Sequence, residues 1–212
     1  MKVTSFPLGP FAANCLVLEP AQGDEVFLVD PGFDVEQVLL WLTQRGKKPK
    51  VVLLTHAHLD HAWGCAAVRE GFPEVPIHLH PADLPLYENL PVQAQMFGFP
   101  PPALVDAEAV LSEGQELELG GERLTVRHTP GHSPGHVVLV GEDGGTPWAA
   151  VGDVIFQGSV GRTDLWGGSW DQLEASIRKV IYRLPEATVL YPGHGPATTV
   201  GEEKRGNPFV PG

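Results

Sequence analysis

Six consecutive positions, 56 to 61 in the stretch LTHAHLDHAWG, hold His56, His58, Asp60 and His61. Imidazole and carboxylate are the donors that zinc and neighbouring first-row cations accept, so a cluster this dense predicts metal binding rather than a polar loop. His56 and His58 are two apart and face the same way in extended backbone, which suits one ion. Asp60 and His61 would then serve a second. Three more candidates follow apolar runs farther along: His132 in TPGHSPGH, Asp153 in VGDVIF and His194 in YPGHG. Each has a glycine just before it, Gly131, Gly152 and Gly193, which allows a tight turn. Strands of one sheet system end along a common edge, so residues this distant in sequence can converge. Asp153 can bridge two ions through its two oxygens. Two ions about 3.5–4 Å apart that share a water, with its pKa lowered to about 7, form a hydrolytic arrangement. Asp60 and Asp153 are the carboxylates expected to act in catalysis.

The remaining histidines are weighed against these. His136 competes with His132 but opens the strand HVVLV, so it is expected to support the ligands from behind. His78 and His80 share a strand face with no carboxylate after them and read as structural or surface groups. His128 is expected to pack at its turn. In GSVGRTD, Arg162 could hold a substrate carboxylate, or Arg162 and Asp164 could pin a glycine-flanked loop as an ion pair. The second reading is favoured.

Positioning such a set requires strands. KVTSFP, NCLVLEP and EVFLVD read as successive strands separated by Gly, Pro, Asn and Asp. DVEQVLLWLTQRG is an amphipathic helix, with Val35, Val38, Leu39 and Leu42 at helical spacing, Asp34 as N-cap and Gly46 as stop. KVVLL lacks alternation and predicts a strand buried on both faces, which delivers the histidine motif. AWGCAAVREGF predicts a short helix, VPIHLH a strand, and PADLPLYENL a helix opened by Pro81. Residues 91–102, PVQAQMFGFPPP, read as a loop: a packed connector, the favoured reading, or a flap over a cleft. QELELGGERLTVRH predicts a hairpin about its Gly-Gly pair, and HVVLVG, PWAAVG and ATVLYP predict strands. Ser169 and Gln172 fit a capping box before DQLEASIRKVIYRL, whose Leu173, Ile177, Val180 and Leu184 form an apolar stripe. Strands and helices in two groups suit two sheets packed face to face with helices outside, in a single domain over 1–212.

Over 212 residues, 42% hydrophobic and 19% charged is globular composition and excludes wholesale disorder. No run is long enough for a membrane span, and the N-terminus lacks an apolar signal-peptide core, so a cytoplasmic soluble protein is expected. The formal charge of −12 repels phosphate backbones, which argues against nucleic acid as a partner. Cys15 and Cys65 are too few for a disulfide framework and read as buried thiols. Oligomeric state is open at this level.

Taken in order, THAHLDH, TPGHSPGH, VGDVIF and YPGHG resemble the metallo-β-lactamase superfamily, and more narrowly its glyoxalase II-like hydrolases. GSVGRTDLWGG and GEEKRGNPF resemble a short bacterial branch of that group, so the resemblance covers nearly the whole chain. It implies an α/β protein, an αββα sandwich with a dinuclear site at one sheet edge. One ion is implied on His56, His58 and His132 and a second on Asp60, His61 and His194, with Asp153 bridging. Two divalent cations are implied, zinc foremost, with iron or manganese also suited to these ligands. The implied reaction is hydrolysis of a small-molecule thioester by a bridging hydroxide, the thiolate leaving without a strong acid; glyoxalase II itself acts on S-D-lactoylglutathione. Full-length members of that family hold glutathione with a helical C-terminal extension, whereas this sequence ends soon after NPF, so the reaction type is the firmer expectation. Persulfide dioxygenases of the same fold, with one iron on the positions of His56, His132 and Asp153, are the main rival. His194 and the NPF ending favour the hydrolase. A non-catalytic metal-binding module would waste an open coordination position. β-Lactam hydrolysis is disfavoured by the cytoplasmic reading and RNA processing by the charge.

Overall fold

A computed structural model describes residues 1–212. Strands β1 (Lys2–Leu8), β2 (Ala13–Glu19) and β3 (Glu25–Val29) form an antiparallel meander. Helix α1 (Glu36–Gln44) crosses to β4 (Lys48–Leu53), which pairs parallel with β3. Helices α2 (Leu59–Ala62) and α3 (Cys65–Gly71) lead to β5 (Ile77–Leu79). Helices α4 (Leu84–Glu88) and α5 (Leu90–Met96) lead to β6 (Glu108–Ala109). The first sheet keeps the sequential order β1 to β6. A second sheet begins with β7 (Glu116–Leu119), β8 (Glu122–His128), β9 (Val137–Asp143) and β10 (Thr146–Gly152), all antiparallel. After the small hairpin β11 (Ile155–Phe156) and β12 (Ser159–Val160), helix α6 (Trp170–Lys179) returns the chain to β13 (Val189–Pro192), parallel to β10. Strand β14 (Thr198–Thr199) and helix α7 (Val200–Gly206) complete it, in the sheet order β14-β13-β10-β9-β8-β7.

The period-2 alternation of side chains sorts the apolar residues into layers. Leu16, Leu18, Phe27, Val29 and Leu53 of the first sheet meet Leu124, Val126, Leu139 and Trp148 of the second in a core between the sheets. Their neighbours Cys15, Val17, Leu28 and Val52 face the other way, into a layer with Val38, Leu42 and Val68 of the helices. Val138, Ala149, Val151 and Leu190 likewise face Leu173 and Ile177 of α6. This is the αββα sandwich expected from the residues, and it explains why KVVLL shows no polar face: β4 is covered on both sides. Each fully buried side chain of this kind contributes about 1.5–3 kcal/mol. Both cysteines are free and buried. No helix is long and apolar enough to cross a membrane.

Several local expectations change. Asp34 does not cap α1: its backbone is left-handed at φ +56°, and the helix opens after Val35 with no side-chain cap. Gly46 does end it, as the left-handed residue of a closing motif in which Lys47 N–H donates to Leu42 O at 2.9 Å and Gly46 N–H to Thr43 O at 3.0 Å. The short helix expected over AWGCAAVREGF is α3, which starts only at Cys65; a separate turn of helix, α2, lies in the histidine motif before it, and the two are parted at Gly64, whose N–H donates to Pro31 O at 2.7 Å. Residues 91–102 are not a loop throughout, because α5 fills Leu90–Met96 with Pro91 in its first turn and Leu90 and Ala94 buried one turn apart. The signal was missed because two apolar positions are too few to show a period. Ser169 Oγ accepts from Gln172 N–H at 3.5 Å, but the return half of the capping box is absent; Ser169 N–H donates to Gly131 O at 2.8 Å instead. The apolar stripe of α6 holds at Leu173 and Ile177; past the helix end Ile181 and Tyr182 are buried in the same cluster, Leu184 packs against it partly buried, and Val180 lies outside it.

Candidate metal centre

The histidine motif leaves β4 through Thr55, whose carbonyl accepts from Val137 N–H of the opposite sheet at 2.7 Å. The two sheets are therefore tied at the point where the motif begins. Asp30, at the end of β3, accepts from Thr55 N–H at 2.7 Å and Thr55 Oγ1–H at 2.6 Å. His132 lies in the β8–β9 connection, Asp153 follows β10 and His194 follows β13. Asn14 clamps that last exit, its side-chain amide donating to Pro192 O and Gly195 O at 2.9 Å each. Four strand ends from two sheets thus deliver the side chains to one edge.

All seven expected ligands meet there. His132 Nε2 lies 2.8 Å from His58 Nδ1 and 3.2 Å from His56 Nε2. His194 Nε2 lies 3.1 Å from Asp60 Oδ2, and His61 Nε2 lies 3.7 Å from the same oxygen. Asp153 sits between these two groups, with Oδ1 3.5 Å from His61 Nε2 and Oδ2 3.5 Å from His132 Nε2 and 3.6 Å from His194 Nε2. His56, His58 and His132 form one set able to hold an ion, and Asp60, His61 and His194 another.

The outer hydrogen bonds aim the lone pairs inward. Thr55 Oγ1 spends its proton on Asp30, so it accepts from His56 Nδ1 at 3.1 Å and leaves His56 Nε2 bare. His61 Nδ1 donates to Asp30 Oδ2 at 3.0 Å, His132 Nδ1 to Arg162 O at 2.8 Å and His194 Nδ1 to Phe11 O at 3.1 Å. His136 is the opposite case. Its Nε2 accepts from Asp153 N–H at 3.0 Å, so it braces the backbone of Asp153 and has no lone pair to offer. Two inward atoms, His61 Nε2 and Asp153 Oδ1, are buried with no hydrogen-bond partner. Converging imidazole nitrogens and buried carboxylate oxygens need positive charge among them, from a proton on His61 or from a cation, so these residues fit divalent ions.

Residues 8–194 match the family model of the metallo-beta-lactamase superfamily. The chain belongs to the metallo-β-lactamase superfamily. It is 35% identical over 211 residues to the hydroxyacylglutathione hydrolase GloC of Haemophilus influenzae, covering 99% of this chain and 98% of that protein. It is 41% identical to TTHA1623, solved in a di-iron-bound form, over 98% of this chain and 100% of that one, with a TM-score of 0.85. The B3 metallo-β-lactamase BLEG-1 is 38% identical over 100% of both chains, with a TM-score of 0.87. The relation to GloC supports the glyoxalase II-like branch of this metallo-hydrolase superfamily.

The other expectations fall into place around the centre. His80 and His128 stack on each other 4.1 Å apart, and His78 lies 3.6 Å from Glu108, all outside the two sets. Arg162 pairs with Asp164 through two bonds of 2.7 Å, the loop-pinning arrangement, and the pinned loop presents the carbonyl that orients His132. Asp30 was missed in the sequence, although its place at the end of EVFLVD beside a turn was a signal. Asp83 was missed as well. Fully buried, it accepts from Ala57 N–H at 3.0 Å, Ser133 Oγ–H at 2.7 Å and Gly135 N–H at 2.6 Å, joining the His56 and His132 loops. Gln93 was hidden in the supposed loop; its side chain accepts from Leu59 N–H at 3.0 Å and donates to Ala57 O at 3.1 Å.

Burial, with the neighbouring imidazoles, lowers His56 and His58 well below the usual histidine range, so both are neutral and able to coordinate. Burial would raise the Asp60 carboxyl, but His61 and His194 overcome it and hold Asp60 below the ordinary carboxylate range. Burial likewise opposes a charged His61, yet Asp60, Asp153 and Asp30 raise it to about 10. The metal-free protein at pH 8 therefore carries a proton on His61 that must leave when Nε2 takes a cation. Calorimetric titration with zinc at pH 8, in buffers of different ionisation heat, should show at least one proton released per chain; buffer-independent heat would contradict this.

Gly193 is needed for space, not for a left-handed turn. A Cβ there would lie 2.1 Å from Asp153 Oδ1 and 2.7 Å from His61 Cε1. Gly152, at φ +47°, does supply the turn expected of it. Gly193→Ala should leave a folded protein with the Asp153 carboxylate displaced and hydrolytic turnover lowered by about 10²-fold, since misplacement near 1 Å costs that much. Turnover beside a thermal melt tests it, and unchanged turnover would refute it.

Proposed function

We propose that this chain is a dinuclear metal-dependent hydrolase acting on thioesters, with one ion on His56, His58 and His132, the other on Asp60, His61 and His194, and Asp153 between them. The observation that carries the reading is the position of Asp153, whose Oδ1 faces His61 and whose Oδ2 lies between His132 of one donor set and His194 of the other. A single-iron dioxygenase would need only His56, His132 and Asp153; the second convergent set, Asp60, His61 and His194, favours two ions.

Divalent cations bound there would supply Lewis acidity toward a carbonyl oxygen and acidify water to a pKa of about 7. The chain's own contribution is preorganisation. Asp30, Thr55 and the carbonyls of Phe11 and Arg162 fix the imidazole tautomers before substrate arrives. Asp60, held ionised, brings Oδ2 to the second donor set beside His61 and His194. His136 fixes the backbone that aims Asp153. Phe11, Phe97 and Phe156 line the cleft and exclude bulk water. A departing thiolate needs no strong general acid, because thiols ionise near about 8.5.

The relation to GloC supports a thioester substrate. The relation to BLEG-1 supports a second reading, β-lactam hydrolysis, at the same centre. The test is turnover of S-D-lactoylglutathione and of a β-lactam by protein of measured metal content. Thioester turnover that rises with the second ion is expected. Oxygen consumption with glutathione persulfide and one iron, or β-lactam turnover alone, would overturn the proposal.

A further inference from the structure

The cleft over the proposed centre has a volume of about 390 Å³, near the small end of ligand pockets. Its polar side chains outside the seven expected ligands are already engaged within the protein, with only Nη1 of Arg162 left over. Arg162, the one basic side chain there besides the histidines, is held by both oxygens of Asp164. The Gln93 amide is used on both ends: its oxygen accepts from Leu59 N–H, and its nitrogen donates to Ala57 O and, at 2.9 Å, to Leu86 O. What still faces the cleft is apolar: Phe11, Leu59, Phe97, Phe156, Val160 and Leu165. This wall is braced from behind. Phe11 meets Phe97 edge-on at 5.5 Å and Phe99 at 5.9 Å, and Phe99 packs on Phe33, which stacks on Trp63 at 4.2 Å. A second, smaller groove of about 290 Å³ begins at the same Gln93 and runs past Val92, Met96 and Trp166, all exposed.

An anionic substituent entering this cleft would lose water and meet, as its one basic partner outside the expected ligands, an Arg162 whose charge Asp164 already offsets, a cost that an apolar group escapes. We infer, resting on the thioesterase reading, that the site recognises its substrate through uncharged apolar groups beside the scissile carbonyl, so that thioesters of apolar thiols are preferred to those of charged thiols such as glutathione. The reaction is hydrolysis in each case. A C–O bond from water replaces the C–S bond, and the water protons end on the departing thiolate and on solvent.

The test uses metal-loaded protein and three thioesters of one acyl group, made from benzyl mercaptan, N-acetylcysteamine and glutathione, alkyl thiols of similar acidity. The expected result is a KM for the benzyl ester at least tenfold below that of the glutathione ester, with kcat values within threefold and the neutral ester between. Phe97→Ala should raise the benzyl KM about tenfold, and Phe97→Leu should restore most of it. Calorimetry with the benzyl thioether, in which CH2 replaces the carbonyl, should show the same order of affinities without turnover. A lower KM for the glutathione ester, lost in Arg162→Gln, would overturn the inference, as would equal KM values or no effect of Phe97→Ala on thioether binding. No turnover of any ester by protein holding two ions would overturn the thioesterase reading itself, and the thioether titration tells that failure apart.

Discussion

Asp153→Ala is expected to reduce bound metal from two ions per chain to one or none and to lower thioester turnover by on the order of 10³-fold. The side chain is the one group within 3.6 Å of nitrogens from both donor sets: His61 on one oxygen, His132 and His194 on the other. Its loss removes the negative charge that would offset two adjacent cations; the other carboxylate near both sets, Asp30, beside His56 and His61, is committed to Thr55 and His61. The fold should survive, because the bond to His136 is made by the Asp153 backbone. Asp153→Asn keeps the shape but not the charge and should fall between. Elemental analysis, turnover and a thermal melt on the same preparations test the prediction. Retention of both ions with activity within tenfold of the parent would refute it.

Asp30→Ala should act through a different route and cost both stability and affinity. The carboxylate accepts from Thr55 N–H, Thr55 Oγ1–H and His61 Nδ1, and Thr55 and His61 are buried. Removing it leaves those donors without a partner and a cationic imidazole without one of its counter-charges, a loss of about 3–5 kcal/mol in the metal-free protein. It also frees the His61 ring to turn, which should weaken metal binding by about 10–100-fold. Urea unfolding and competition with a chelator measure the two effects separately. A variant as stable as the parent, binding zinc equally well, would show that Asp30 does not orient the ring.

Much of this was legible in the sequence because metal ligation constrains residue type and spacing tightly. His56, His58, Asp60 and His61 lie within six positions, and the glycine-led His132, Asp153 and His194 each follow an apolar run that is a strand or a strand end. The layers were legible because alternation and its absence report burial on one face or both. What was hidden depends on tertiary contacts. Asp30 and Asp83 look like ordinary turn residues until Thr55, His61, Ser133 and Gly135 are placed around them. Helix α5 was obscured by three prolines beyond its end, at 100–102, and by its shortness. Asp34 had the right residue type for a cap, but the turn after Phe33 sends its backbone left-handed.

Anomalous diffraction from crystals soaked in zinc tests the central claim most directly. Two peaks per chain are predicted, one among His56, His58 and His132 and one among Asp60, His61 and His194, with the Asp153 carboxylate reaching both. A single peak, or ions held away from these seven side chains, would contradict it.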